Sequence, residues 1–427
     1  MEAHISIEER RLQINLDPSK EELDSVYGEK MDAELSFKIA SDKDVDFYVT
    51  HPDHLALIVL LAAHPFSIKE LKIPLHVSKT FAAACNIFER YKPTFLSTNS
   101  LPYTPRSNSR PGLAFSGGVD STAALELMPE STIPVFLDRP FRAKTTLYNK
   151  SAAKATLAFL EARNQPNISV TTDIEFIRNP IGFPTDLAAG IPAIALATHL
   201  NFDSIGYGTI MESAYRIGHV KAREYSTSPH YKIWGPLFAA CGIPLYLPVA
   251  GVSEVGTSLI VHGSEYRGMA RSCIRGEWPK RCDLCWKCFR KQLIEMALRN
   301  KSISASQLHE DFKKKEVLYK IKSSFIPHEN VLAWALSKMN REGFVETFYN
   351  RLVGSTYNLD HLATYLPKSI DLIPQRYQLA TIQNLKKYLL PMNSEDQTRM
   401  LEQDFQKYVG SEIYESLVQE FEKSIIT

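Results

Sequence analysis

The sequence predicts an α/β protein built on a doubly wound, parallel, five-stranded sheet. Two observations carry that expectation. From residue 111 to about 300, short apolar runs alternate with amphipathic segments of helical period, the pattern of parallel strands joined by crossover helices. The first of these runs also leads directly into a glycine loop, LAFSGGVDSTAAL, Leu113 to Leu125. Sheets of this kind bind ligands beyond the carboxyl ends of their strands.

Taken in order, the expected strands are Leu113–Phe115, Ile133–Leu137, Ile168–Thr172, Ser204–Gly208 and Pro244–Leu247. The helices between them are expected at Ser121–Leu127, Thr145–Ala162, Leu187–Leu200 and Lys232–Ala240. Residues 1–105 read as a separate mixed region. Within it, Ala33 to Ile39 alternates with period two as a strand does, and His54 to Ala63 reads as a helix. The Ser-, Asn- and Pro-rich stretch from Ser97 to Pro111 reads as a linker into the central domain, residues 106–300. Residues 301–427 read as helical. Leu332, Leu336 and Met339 share one face, and Phe344, Phe348 and Leu352 another. Ser394 with Gln397 reads as a capping box opening a last helix that carries Leu401, Phe405 and Tyr408. These stripes are core faces.

Charge excludes some functions. The 49 basic residues nearly balance the 48 acidic ones, so no strong field for nucleic acid or anionic membrane is expected. The basic cluster Lys313 to Lys315 reads as a solvated helix face. The longest apolar run, Leu55 to Ala63, falls short of the roughly 20 residues that span a bilayer. The opening MEAHISIEERR has no apolar signal core, and a cytoplasmic protein is expected.

The loop SGGVDS has the position of a phosphate-binding turn but lacks the lysine of a Walker-type loop. Gly117 and Gly118 let the backbone turn sharply and approach a ligand. Successive amides at a helix start form an anion site, to which the hydroxyls of Ser116, Ser121 and Thr122 add donors and Mg2+ adds charge. The second motif is RSCIRGEWPKRCDLCWKCFRK, with Cys273, Cys282, Cys285 and Cys288 spaced C-x8-C-x2-C-x2-C. Four thiolates make a closed tetrahedral Zn2+ site of structural type. An iron–sulfur cluster is the alternative. Cys85 and Cys241 read as buried thiols.

The SGGVDS stretch resembles the PP-loop of the N-type ATP pyrophosphatases, which cut ATP between its α and β phosphates. With the cysteine spacing, residues 111 to about 298 resemble the 7-cyano-7-deazaguanine synthase (QueC) family. The resemblance implies an adenine nucleotide alpha hydrolase-like fold. It also implies ATP, Mg2+ and Zn2+ as cofactors and an acyl-adenylate intermediate, followed by carbon–nitrogen bond formation. It assigns Ser116, Asp120 and Ser121 to catalysis, and Ser116, Gly117, Gly118, Val119, Asp120, Ser121, Thr122 and Asp138 to the nucleotide. The segment Val135 to Asp138 would lie against adenine. Two departures mean that the family's substrate does not carry over: Ile181 to Asp186 replaces the family's Pro-Gly-Arg-Asn run, and Ser253-Glu254 stands where Thr-Lys is expected.

Glu212-Ser213, Tyr225-Ser226-Thr227-Ser228, Ser253-Glu254 and the ending Cys-x2-Cys-x-Lys-Cys also resemble the UDP-MurNAc-L-Ala-L-Glu epimerase (MurL) group, which activates a peptide carboxylate before inverting its α-carbon. Larger QueC-like proteins of antiviral operons are similar as well. A nucleotide-sensing module without turnover and a tRNA sulfur-transfer enzyme are the remaining readings; the neutral charge argues against tRNA. The expected substrate is a small-molecule or peptide carboxylate held by Glu212 and Arg216, with His219, Lys221 and Arg223 adding positive charge. The flanking regions leave room for a protein partner, and for a homodimer.

Overall fold

A computed structural model describes all residues except 9, 24–29, 32–35, 42–43, 141–148, 219 and 427. The chain is α/β. Its strands are β1 (Glu2–Glu8), β2 (Arg11–Asp17), β3 (Lys30–Met31), β4 (Ser36–Ser41), β5 (Glu70–Ser78), β6 (Lys92–Ser100), β7 (Arg110–Phe115), β8 (Ile133–Asp138), β9 (Ile168–Thr172), β10 (Arg178–Asn179), β11 (Phe202–Gly206) and β12 (Leu245–Tyr246). The short β3 and β10 pair with each other, and the rest form one sheet ordered β12-β11-β7-β8-β9-β4-β2-β1-β5-β6.

The expected five-stranded sheet is therefore one half of a ten-stranded mixed sheet. From β12 to β9 all neighbours are parallel. At β9 the direction changes: β4 pairs with it antiparallel, joining Ile39 to Thr172 and Ser41 to Val170. The physical reason is the open edge. An unpaired β9 would present a row of bare N–H and C=O groups. The first hundred residues supply the strand that covers it. They then extend the sheet through the antiparallel β4-β2-β1 and the parallel β1-β5-β6.

Both faces of the parallel half are buried. Val135 and Leu137 pack into one core with Leu245 and the helix Ile191–Leu200, while Phe136 and Tyr246 pack into a second core with the helix Val119–Leu127. Alternate residues of one strand thus feed opposite layers. The helix Pro52–Ala63 belongs to the first core and is buried on every side, which explains its unbroken apolar run.

Several expected boundaries move. The stretch read as a linker gives its first residues to β6 and its last to β7, leaving 101–109 as the connection. Ala33 to Leu35 and Thr145 to Tyr148 lie outside the described residues; β4 begins at Ser36, and the later helix at Ser151. The expected helix from Ser394 ends at Glu402. Its cap is Asn393, whose side chain accepts the Asp396 amide, rather than Ser394. The chain leaves that helix because Asp404 forms a bridge with Lys221 and Phe405 donates its amide to Val220 O. Phe405 and Tyr408 then fall in a separate turn.

The C-terminal helices pack on the parallel half. Tyr246 and Tyr377 stack at 5.3 Å, Tyr246 and Thr381 share a 2.6 Å hydroxyl hydrogen bond, and the Tyr377 hydroxyl donates to Asp203 at 2.8 Å. No helix among the described residues is long and apolar enough to cross a membrane.

Candidate functional site

The parallel strands run β12-β11-β7-β8-β9, so the first and fourth of them in the chain, β7 and β11, are neighbours. Chain order reverses between them, and a crevice opens beyond their carboxyl ends. The glycine loop fills one side of it. β7 ends at Phe115, and the helix Val119–Leu127 starts with Gly118 as its cap. Gly117 sits at φ +70°, and a side chain there would also press on the Ala153 backbone at 3.3 Å. From the other side, Gly208 brings the β11 exit against the loop. A Cβ at Gly208 would lie 2.8 Å from the Ser121 amide nitrogen.

Within the loop, the Ser116 and Ser121 hydroxyls lie 3.1 Å apart, and Ser121 Oγ accepts the Ser116 amide at 3.3 Å. Ser272, from the cysteine segment, caps the helix by accepting the Val119 amide at 3.2 Å. Ser116, Gly118, Asp120 and Ser121 line a cleft of about 560 Å³. A smaller cavity of about 100 Å³ adjoins it, bounded by Phe136, Leu137, Arg139 and Phe183. Thr122 is fully buried and Val119 faces away from the cleft, so neither reaches its interior. Asp138 ends β8 and pairs with Lys150 at 2.5 Å.

Asp120 is held by two groups that the sequence reading missed. Its Oδ1 accepts the Thr257 hydroxyl at 2.8 Å and lies 3.7 Å from Lys291 Nζ. Lys291 comes from the helix Trp286–Leu298 and does not line the cleft. Lys291 also reaches Glu254 at 3.2 Å, as does Arg290 at 3.4 Å. His328 Nδ1 stands 3.3 Å from the other Glu254 oxygen without hydrogen-bond alignment. Burial alone would raise the Glu254 pKa, but Arg290, Lys291 and His328 together hold it far below the usual carboxylate range.

Glu212 belongs to this buried network and not to the cleft wall. Both of its oxygens accept the Glu254 amide, at 3.2 and 3.0 Å. Burial, and then the Glu254 charge, push its pKa up to about 8. Arg216 is exposed, adopts a left-handed conformation (φ 59°) and does not line the cleft. His219 lies outside the described residues. The cations that line the cleft are instead Arg139, Arg223, Arg271 and Lys287, and Arg223 stands beside Asp186, Tyr225 and His230. His230 Nδ1 lies 3.0 Å from the Tyr225 hydroxyl, while Nε2 is buried without a partner. Burial, the largest effect, lowers the His230 pKa and keeps the ring neutral.

The four cysteines come together as their spacing implied. Their sulfurs all lie within 4.8 Å of one another, with Cys282 and Cys288 Sγ 3.7 Å apart. Tetrahedral Zn–S bonds of about 2.3 Å place sulfurs about 3.8 Å apart, so the four thiols can hold a metal ion such as zinc. The hydrogen bond with Cys288 lowers the Cys285 thiol to about 5, which favours the thiolate that a metal needs. Cys285 also caps the helix that carries Arg290 and Lys291, its sulfur accepting the Cys288 amide at 3.4 Å. The cysteine cluster therefore sits at the start of the helix that holds Asp120. Both Ser272 and Lys291 belong to the cysteine motif itself, and that proximity was the available signal for them.

A family of unknown function, DUF6395, matches residues 233–404, which take in the cysteine cluster, Glu254 and Lys291 but not the glycine loop. Searches of curated proteins and of solved structures find no match.

Proposed function

We propose that this protein activates a carboxylate with ATP, forming an acyl-adenylate and releasing pyrophosphate, and then joins the acyl group to nitrogen. The observation that carries the reading is the strand–glycine loop–helix at the β7/β11 reversal, with Ser116, Gly118 and Ser121 facing a cleft of ligand size. The resemblance of SGGVDS to the PP-loop supports it, as does the loop's place between a parallel strand and a helix. In this reading the smaller cavity at Phe136 and Leu137 takes adenine.

The carboxylate oxygen attacks the α phosphorus, and the bond to the α–β bridging oxygen breaks. Charge builds on the departing pyrophosphate, where loop amides and serine hydroxyls stabilise it. Mg2+ bound with the nucleotide supplies further neutralisation. Asp120 Oδ2 is the oxygen left to reach it, since Oδ1 is engaged by Thr257 and Lys291. Arg223 orients the carboxylate; its Nε is anchored on Ala214 O at 3.1 Å, and its two terminal nitrogens remain for the substrate. An amine or ammonia then attacks the acyl carbon and AMP leaves. The proton that the amine loses passes to water in the open cleft, since His230 Nε2 is buried and burial lowers its pKa. Zinc on the four cysteines has a structural role in this scheme.

The test is the identity of the nucleotide products over a panel of deazaguanine, amino-acid and peptidoglycan-precursor carboxylates. AMP and pyrophosphate, largely lost in Asp120→Ala, are the expected outcome. ADP and phosphate as main products would contradict the proposal.

A further inference from the structure

A second cavity, of about 400 Å³, lies behind the glycine loop, between the first turn of the helix Val119–Leu127 and the helices Glu254–Gly263 and Trp286–Leu298. A partition separates it from the cleft. Arg271 donates its amide to Gly117 O at 3.2 Å, and Ser272 Oγ accepts the Val119 amide. The strip they form is laced onto the loop, with the cleft on one side and this cavity on the other.

The cavity is strongly basic. Arg267, Arg271, Arg281, Lys287, Lys291 and Arg299 line it, against the single carboxylate of Glu295. Glu295 is already engaged by Arg281 at 3.2 Å and by Arg299 at 2.5 Å. Among the described residues, Arg267, Arg271 and Lys287 have no carboxylate within ion-pair distance, and Arg271 Nε is buried without a hydrogen-bond partner. The adjacent cysteines do not account for this excess. Lys291 is paired with Asp120 and Glu254, Arg281 with Asp283 and Glu295, and Arg299 with Glu295, which leaves Arg267, Arg271 and Lys287, three cations against the formal double negative charge of a zinc tetrathiolate. Cations crowded into one cavity repel unless an anion joins them. The walls also include Val119, Val261, Ile294 and Leu298, so an apolar body can rest beside the charged end.

We propose that this cavity binds a second phosphate-bearing small molecule, separate from the nucleotide of the glycine loop. Arg267 and Arg299 at its rim, with Lys287 and Arg271 at the partition, contact the phosphate oxygens through charge-assisted hydrogen bonds. The proposal rests on the cavity's own charge and not on the ATP chemistry, although it shares the loop as a wall. The ligand lies against the turn that carries Val119, Asp120 and Ser121. It is therefore placed either to regulate the cleft or to be a phosphorylated co-substrate.

The experiment is calorimetric titration of inorganic pyrophosphate into the zinc-loaded full chain, with and without a saturating non-hydrolysable ATP analogue. Two variants divide the sites. Arg267→Ala/Arg299→Ala removes rim cations from residues that take no part in the loop. Gly118→Asp places a carboxylate in the loop at φ −81°, where a Cβ meets Ser116 Oγ at 3.3 Å first, then Ser272 Oγ at 3.6 Å and Ser272 Cα at 3.8 Å. Pyrophosphate should bind the parent with the analogue present, bind at least about tenfold more weakly to the arginine variant, and keep its affinity for Gly118→Asp. Unchanged binding in the arginine variant would overturn the proposal. So would complete displacement by the analogue, which would make the cavity the resting place of the loop nucleotide's own phosphates. If ATP fails to bind while pyrophosphate still depends on Arg267 and Arg299, the ATP reading fails and this one stands.

Discussion

Glu212→Gln should stabilise the protein at alkaline pH and change it little near pH 4. The Glu212 carboxyl is buried, and its pKa is raised from an ordinary 4.5 to about 8, first by burial and then by the Glu254 charge. Between those pH values the folded chain keeps a proton that the unfolded chain has released. Stability from this residue therefore falls as pH rises through the window. At about 1.4 kcal/mol per pH unit, the full loss is at most roughly 5 kcal/mol, and on the order of 2–3 kcal/mol once water and local relaxation screen the charge. Glutamine removes that loss because it has no proton to release. It should also fit. Asn330 Nδ2 already donates to Glu212 Oε1 at 3.4 Å, while Asn330 Oδ1 is buried without a donor, and the glutamine amide can supply one. Urea unfolding of parent and variant at intervals from pH 4 to 9 measures the difference directly. It should grow in favour of the variant across the window. A constant difference, or a variant less stable at pH 8.5, would refute the buried-proton argument.

Other outcomes follow from the same geometry. Glu254 titrates with the opposite sign: its pKa is held below the ordinary 4.5, so its stabilisation is present above that value and is lost as pH falls. Removing one of its partners with Arg290→Met leaves a buried charge underpaired; this should cost about 3 kcal/mol near neutral pH and less in acid, read by the same unfolding series. Arg223→Ala should weaken use of the carboxylate substrate roughly tenfold or more while ATP binding holds, and Arg216→Ala should match the parent, as separate KM values for the two substrates would show. Cys285→Ser should lower bound zinc below one per chain. It should also lower turnover in whatever protein stays folded, because serine keeps the helix cap but the metal no longer ties the start of the Lys291 helix to Cys273 and Cys282; metal analysis and activity per folded chain check this together.

The parallel half of the sheet was legible because fully buried strands read as short apolar runs between helical periods. Ile133 to Leu137 and Ile168 to Thr172 were placed almost to the residue. The junction of β4 with β9 was not legible. Ser36 to Ser41 alternates like any half-buried strand, and nothing local states which edge it will cover. The loop and the cysteines were visible because their chemistry lies in contiguous spacing. The grip on Asp120 was not, since Thr257 and Lys291 lie 137 and 171 residues away and act only through the fold. Glu212 and Arg216 are expected at the substrate because their segment leaves the sheet at its carboxyl edge, but the helix there is a single turn, Met211–Ala214. The chain then adopts a left-handed conformation at Arg216, so the two side chains part, one into the core and one to solvent.

The central claim is acyl-adenylate formation at the glycine loop, and carboxylate-dependent exchange of labelled pyrophosphate into ATP tests it most directly. The reaction needs no knowledge of the nitrogen acceptor, because only the first half of the chemistry must run. At least one carboxylate of the panel should drive exchange with the parent, and none should do so with Gly118→Asp, whose added charge sits where the leaving group is held. Exchange that persists in Gly118→Asp, or a parent that binds ATP but exchanges with no carboxylate, would contradict the account.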